Sequence, residues 1–209
     1  MKKLSFFWLL AALLVTLPLS AGAQGNREAA KLTREGADAL KAKDYNKAVD
    51  SFRRAAELDR RNEKSLAAAL QQRAVALAGQ NQFQKSIDDF TAALDITPDD
   101  PGIYERRAYV EMKLGDYDRA LGDYNELIKR KGNEVRYYLL RSYIYEVKSD
   151  IAHGIADCDK VLQMQHNNQE AKARKQRLQT AQQQQQQAQP TPGGPIAPPQ
   201  QPVQPPKKP

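Results

Sequence analysis

A repeat with a period of about 34 residues, the length typical of helix-turn-helix units, is the feature that most restricts how this chain can fold. The letters DYNKA at residues 44–48 return as DYDRA at residues 116–120, two units later. A second series recurs once in each unit, with a slightly longer first interval, and consists of Phe52, Phe90, Tyr124 and Cys158. One helical hairpin is too small to bury its own apolar face, so neighbouring units must stack.

Apolar residues inside each unit follow the spacing of amphipathic helices. Leu32, Gly36 and Ala39 lie four and three positions apart on one helix face. Gly115 and Asp116 supply a turn between two such helices. Small residues where two helices cross allow a close approach, and aromatic residues then fill the seam between units. These patterns predict an all-α stack of helical hairpins.

On these residues the chain resembles the tetratricopeptide repeat family, whose pattern has small residues at positions 8 and 20 of each unit. Position 8 holds Gly36, Ala74, Ala108 and Ser142, and position 20 holds Ala48, Ser86, Ala120 and Gly154. The proline that closes the family's repeat appears only as Pro98. The resemblance implies four repeats at 29–62, 67–100, 101–134 and 135–168, with a four-residue extension after the first. It also implies a right-handed superhelical solenoid that is a non-enzymatic, protein-binding scaffold.

The chain after the repeats divides into two parts. A stack of this kind needs a polar cap, so we expect a capping helix at residues 169–181, where Ala171, Ala173 and Leu178 are the only nonpolar residues up to Gln179. Residues 182–209 contain a glutamine run followed by nine prolines. Glutamine could continue the capping helix for a turn or two, whereas the proline segment cannot pack a core, so we expect a disordered tail, in part polyproline II.

Residues 1–23 have the three parts of a secretory signal. Lys2 and Lys3 precede an apolar run over residues 4–19, and the Ala21-Gly22-Ala23 segment matches an A-x-A cleavage site. We expect cleavage after Ala23, a short lead at residues 24–28 and a periplasmic or secreted product. An uncleaved membrane anchor is the alternative, although the apolar run is short for a spanning helix.

The net charge of +7 suggests nucleic acid as a partner only until its distribution is considered. Residues 26–168 contain 24 basic and 24 acidic residues, so the excess lies outside the repeats. A nucleic-acid-binding domain carries its positive charge on a folded face. The sequence therefore indicates a protein or peptide partner, with no nucleic acid and no integral membrane segment after cleavage.

Few residues are candidates for catalysis or metal binding. Cys158, the single cysteine, stands at the position of Phe52, Phe90 and Tyr124 in the other repeats, which predicts a buried structural thiol. His153 and Asp157 share a helix face, but no third ligand is spaced to join them. No phosphate-binding loop or nucleophile motif is present. The sequence predicts no enzyme, no metal site and no cofactor.

A charged pattern recurs in repeats two to four. Position 7 holds arginine and position 23 holds aspartate, while repeat one has Glu35 and Ser51 there. Because the two changes occur together, we hypothesise Arg–Asp pairs that order the stack, with separate solvated charges as the alternative. The pairs would be Arg73 with Asp89, Arg107 with Asp123, and Arg141 with Asp157.

The family resemblance implies a concave groove lined by the first helix of each repeat. The residues placed there as a partner-binding strip are Gln71, Gln72, Glu105, Arg106, Tyr109, Met112, Arg136, Leu139, Tyr143 and Glu146. Tyr109 and Tyr143 occupy equivalent positions and are expected to form an aromatic wall. Some relatives hold a chaperone's terminal carboxylate with a Lys, Asn and Arg set. Here those positions are Thr33, Ala37, Gln72, Gly102 and Arg106, of which only Arg106 matches.

These features together predict an exported scaffold that holds a partner segment in the groove over repeats two to four. Two alternatives remain open at this point. One is a structural subunit of an envelope or secretion assembly. The other is a cell-wall glycan binder that uses the groove tyrosines as stacking platforms.

Overall fold

The computed structural model describes residues 19–188, which form nine α-helices and one short 3₁₀ turn at Arg60–Asn62. The helices are α1 (Leu19–Lys41), α2 (Tyr45–Leu58), α3 (Glu63–Gly79), α4 (Phe83–Ile96), α5 (Pro101–Leu114), α6 (Tyr117–Arg130), α7 (Val135–Val147), α8 (Ile151–Met164) and α9 (Gln169–Ala188). Most of the predicted signal sequence, residues 1–18, and the tail from residue 189 lie outside the described residues. Helix α1 runs through the predicted cleavage site and the short lead.

The helices pack as successive pairs, α1 with α2, α3 with α4, α5 with α6 and α7 with α8, and each pair stacks on the next. Helix α9 packs mainly on α8 and closes the stack. The predicted all-α solenoid of four hairpins and a capping helix is therefore confirmed. The period-defining residues Phe52, Phe90, Tyr124 and Cys158 are all buried between the helices.

The turn inside each hairpin has the same backbone geometry at position 15 of the repeat. Lys43, Asn81 and Ser149 each have φ of 59°, and Gly115 has φ of 87°. The left-handed region favours glycine and tolerates asparagine, so lysine and serine are held there at some cost.

In three of the four turns an aspartate caps the start of the next helix. Its side chain accepts a hydrogen bond from a backbone N–H of the first helical turn; these caps are Asp44, Asp116 and Asp150.

Close helix crossings explain two of the small residues. A Cβ on Gly36 would lie 2.9 Å from the ring of Phe52, and a Cβ on Gly154 would lie 2.9 Å from Cδ1 of Leu178. The first contact joins the two helices of repeat one. The second seats α9 against α8, so Leu178 extends the core beyond the last repeat.

The Arg–Asp pairs expected from the sequence are confirmed, and each joins the two helices of one repeat. Both carboxylate oxygens accept from the guanidinium at 2.6–2.9 Å in all three pairs: Arg73 with Asp89, Arg107 with Asp123, and Arg141 with Asp157. The remaining Nη1 of Arg107 donates to Thr91 Oγ1 at 3.0 Å, and that of Arg141 donates to Asn125 Oδ1 at 2.6 Å. These two arginines therefore also tie their repeat to the preceding one.

Helix α9 behaves as the first helix of an incomplete fifth repeat. Lys175 stands one repeat length after Arg141, and its Nζ lies 2.5 Å from Asp159 of the preceding repeat, which repeats the arginine pattern. The predicted end of this helix at residue 181 is wrong, as is the start of the tail at residue 182, because α9 continues through the glutamine run to Ala188. Glutamine has an unbranched side chain that loses little freedom in a helix, so the run extends a helix that already exists.

Candidate functional site

A groove of about 680 Å³ opens between α3 and α5, on the side formed by the first helices of the repeats. Its floor contains Phe90 and Tyr124, both almost fully buried, together with Val110 of α5. Tyr109 and Val75 also line the groove, with 56% and 50% of their surfaces exposed. An apolar patch that is contiguous and rimmed by polar residues is typical of binding grooves. An apolar side chain of a partner could therefore pack against the floor of this groove.

Basic side chains outnumber acidic ones in this groove. Arg106, Lys113 and Arg136 line it against a single acid, Glu105. Glu105 is already paired with Arg136 and accepts a hydrogen bond from the hydroxyl of Tyr137 at 3.2 Å. Among residues 19–188, the one side-chain hydrogen bond of Arg106 goes to the Oε1 of Gln71, at 3.2 Å, and Arg106 is otherwise exposed. The groove therefore presents positive charge to a partner.

The exposed tyrosine and lysine of the groove lie together on one helix. The Nζ of Lys113 is 5.5 Å from the centre of the Tyr109 ring, which places a cation over an aromatic face. Because both side chains lie at the surface, a partner's acidic group can reach the ammonium while an apolar group packs on the ring.

The structure brings four of the ten predicted groove residues to this site, namely Glu105, Arg106, Tyr109 and Arg136. Gln71 contributes through its hydrogen bond with Arg106, and Gln72 is exposed but does not line the groove. Met112 is half-buried, and its sulfur accepts a hydrogen bond from Tyr124 at 3.6 Å.

The three predicted residues of repeat four that remain all contact the capping helix. The carbonyl of Leu139 accepts from Arg174 at 2.8 Å, and the Arg174 guanidinium lies 5.6 Å from the centre of the Tyr143 ring. Glu146 accepts from Arg174 and Arg177, and the hydrogen bond from Arg177 holds the pKa of this carboxyl below its usual range. Helix α9 stacks here as a fifth repeat would, so the expected wall of two tyrosines does not line one pocket: Tyr109 lines the groove and Tyr143 packs beside α9.

From the sequence pattern alone, the aromatic residues at the floor of the groove would be assigned to the core. Phe90 and Tyr124 are buried in the core, and both also line the open groove. Phe83 and Leu140 also line the site. Their signal in the sequence is the apolar periodicity itself, which does not distinguish a side chain sealed on all sides from one at the base of an open groove.

Cys158 and His153, the candidates for catalysis or metal binding, have different environments. Cys158 is buried and free, as predicted, and burial raises the pKa of its thiol. His153 lies on the surface, 2.8 Å from Asp150 and stacked on the Tyr145 ring. Within residues 19–188, no three His, Cys, Asp or Glu side chains are grouped to hold a metal ion. In the same range no helix combines the length and apolar character needed to cross a membrane.

Comparison with known proteins gives a match to the family model described as Tetratricopeptide repeat, over residues 33–101 and 106–169. Among curated proteins, a DnaJ homolog subfamily C member 7 homolog of Dictyostelium discoideum is 34% identical over 93 residues. That match covers 44% of this chain and 17% of the relative, so this chain spans less than a fifth of that protein's length.

Two solved structures share the fold. A tetratricopeptide repeat protein of Parabacteroides merdae superposes with a TM-score of 0.58 at 22% identity, over 76% of this chain and 61% of that one. The first repeat domain of Spaghetti (RPAP3), bound to the HSP90 peptide SRMEEVD, superposes with a TM-score of 0.51 at 21% identity, over 57% of this chain and 95% of that domain. The family model accounts for well over half of the residues, so this chain belongs to the tetratricopeptide repeat family, whose members are protein- and peptide-binding scaffolds and typically non-enzymatic.

Proposed function

We propose that this protein holds an acidic, apolar-containing segment of a partner protein in the groove between α3 and α5. The observation that carries the proposal is the combination of Tyr109, more than half exposed over an apolar floor, with three basic side chains and one already paired acid. Aromatic and arginine side chains dominate the binding energy of protein interfaces, and a positive groove favours an acidic partner.

The peptide bound by the Spaghetti repeat domain, SRMEEVD, also contains three acidic residues. The set that holds a terminal carboxylate in some relatives is reduced here to Arg106. The hydroxyl of Thr33, at another of those positions, lies 2.7 Å from the carbonyl oxygen of Ala29 and 2.8 Å from Oδ1 of Asn62, so its one hydrogen is donated within the fold. The proposed partner is therefore recognised through acidic and apolar side chains inside a segment, and not through its terminal carboxylate.

Replacing Tyr109 with alanine tests the groove. The probe is a fluorescein-labelled ten-residue peptide with four Asp or Glu residues around a central Leu, titrated with protein and followed by fluorescence anisotropy. We expect Tyr109→Ala to weaken binding by about tenfold or more, because truncating an interface hot spot typically costs about 2 kcal/mol. Binding should also weaken as salt is added, because the charges are exposed.

Tyr143→Ala is the matched control, since Tyr143 has the same position in the next repeat but does not line the groove. A second control peptide replaces the acidic residues with lysine. Equal affinity of the native protein, Tyr109→Ala and Tyr143→Ala for the acidic peptide would move the site elsewhere. Retention on insoluble cell-wall material with no peptide binding would favour the glycan-binding alternative.

We propose in addition that the protein is exported to the periplasm of a bacterium or secreted, with cleavage after Ala23. The support is the sequence of residues 1–23, with two lysines, an apolar run and an A-x-A site. Expression of the full chain in a bacterial host, followed by cell fractionation and N-terminal sequencing, is expected to give a periplasmic product that begins at Gln24. A cytoplasmic product with an intact N-terminus contradicts export, while leaving the groove proposal in place.

A further inference from the structure

A second pocket of about 680 Å³ lies on the other side of repeats two and three, between the second helices α4 and α6. Helix α5 closes its base with Arg107 and Glu111. The two walls differ in chemistry. Ile87 of α4 contributes apolar surface, while Gly122 of α6 has no side chain and a Cβ there would meet no atom within 4 Å. Gly122 therefore leaves one side of the pocket open.

Acidic groups dominate this pocket, in contrast to the groove on the opposite side. Asp88, Asp95, Glu111 and Asp123 line it against two basic residues, Arg107 and Arg119. The guanidinium of Arg107 is already bound by both oxygens of Asp123. A negative potential concentrated in a cleft attracts a cationic group.

Glu111 is the acid whose interactions within the fold are incomplete. Only 2% of its surface is exposed, and its Oε2 has no hydrogen-bond partner in the part of the chain that the structure describes. Its Oε1 lies 3.8 Å from Nε of Arg107, which is too long for a hydrogen bond. A buried carboxylate oxygen without a donor is costly, so a hydrogen-bond donor delivered through the pocket would relieve that cost.

The packing pattern of the family makes this glutamate unusual. The equivalent position 11 of the other repeats holds Ala39, Leu77 and Tyr145. None of these is charged. An acid at this position, open to a cleft beside it, is a feature of repeat three alone.

We propose that the pocket between α4 and α6 receives an arginine side chain of a partner protein, with Glu111 as the buried anchor and Asp88 and Asp95 at the rim. The apolar surface of Ile87 suits the methylene stem of arginine, whose charged head remains among polar groups. A planar guanidinium has five donors and weaker hydration than an ammonium, so arginine suits a buried carboxylate better than lysine does. This surface is distinct from the groove, and it adds a second, oppositely charged docking point.

The test uses a twelve-residue Gly/Ser peptide with three arginines, together with its lysine and norleucine versions. Binding to the full protein is measured by isothermal titration and by amide chemical shifts. We expect the arginine peptide to bind with shifts at α4 and α6, the lysine peptide to bind more weakly, and the norleucine peptide not to bind. Glu111→Gln should weaken binding of the arginine peptide by about tenfold, because a hydrogen bond to a charged group is stronger than one to a neutral amide.

Two matched pairs separate the pocket from general electrostatics and from misfolding. Asp38→Asn removes an equal charge from an exposed site on α1 and should leave binding unchanged. Gly122→Leu should block the pocket by filling its open side, while Gly122→Ala adds only a small group and should still bind. Native-like binding by both Glu111→Gln and Gly122→Leu, with thermal unfolding showing each to be folded, overturns the proposal. Tyr109→Ala should not affect this peptide, so failure of the groove proposal would be seen separately.

Discussion

Replacing Glu111 with leucine is expected to raise the free energy of unfolding by about 3 kcal/mol at pH 8, because each unit of a pKa shift corresponds to about 1.4 kcal/mol between the charged and neutral forms. Burial, reinforced by the nearby Asp123 carboxylate, raises the pKa of Glu111 to about 7 from an ordinary value near 4.5. Leucine removes the buried charge, and Leu77 fills the same position in repeat two.

The direction of the Glu111 pKa shift determines how the stability of the native protein depends on pH. Because the pKa of Glu111 is higher in the folded protein than in the unfolded chain, the folded state binds the proton more tightly. The native protein therefore loses stability as the pH rises from about 4.5 to about 7, and no further loss from this group follows above that. Arg107 and Arg119 oppose the shift, and Asp116 adds to it.

Urea unfolding at pH 5 and at pH 8 measures this prediction. The gain of Glu111→Leu over the native protein should be large at pH 8 and small at pH 5, where the native glutamate is protonated. Glu111→Gln serves as the control that removes titration while keeping a polar group, and it should show less of the gain. A gain of equal size at both pH values would show that the charge of Glu111 is not its source.

Replacing Asp157 with alanine is expected to destabilise the protein by about 3 kcal/mol, near the lower end of the cost of breaking a buried ion pair. Asp157 accepts two hydrogen bonds from Arg141, whose only other hydrogen bond to a side chain described here is to Asn125. Its removal leaves a largely buried guanidinium without an acid, and position 11 of this repeat is Tyr145, which offers no carboxylate.

Replacing Asp123 with alanine should destabilise the protein less than Asp157→Ala does. Burial raises the pKa of the Asp123 carboxyl in spite of Arg107, so desolvation offsets much of this pair's attraction. If Asp123 is lost, Glu111 at 3.8 Å from Arg107 can take the guanidinium. Urea unfolding of Asp157→Ala, Asp123→Ala and the double variant Glu111→Leu with Asp123→Ala measures this. In the Glu111→Leu background, Asp123→Ala should destabilise the protein by the full amount of about 3 kcal/mol relative to Glu111→Leu alone. Additive effects in that cycle would contradict a shared arginine.

Features that recur with the repeat can be predicted from the sequence. Arg73, Arg107 and Arg141 recur with the same period as their aspartates, which is why the pairs can be recognised before the structure is known. Cys158 belongs to the core because aromatic residues stand at its position in the other repeats. A side chain at a repeated position has repeated neighbours, so its environment can be inferred by comparison.

Features that depend on a single repeat or on the chain end cannot be predicted in this way. The left-handed turns at Lys43 and Ser149 carry no glycine and leave no signal in the sequence. The repeat pattern places Glu146 in the groove, but its carboxylate is occupied by Arg174, which belongs to a helix outside that pattern. Glu111 does leave a signal, because a comparison of position 11 across the four repeats identifies one acid among uncharged residues.

The length of α9 has a mechanical consequence. The last buried residue of this helix is Leu178, yet the helix continues to Ala188 with glutamine on every side of its final two turns. A helix rises about 1.5 Å per residue, so residues 182–188 extend it by roughly 10 Å beyond its packed part. The described end of the helix, at Ala188, therefore stands clear of the surface against which Leu178 packs.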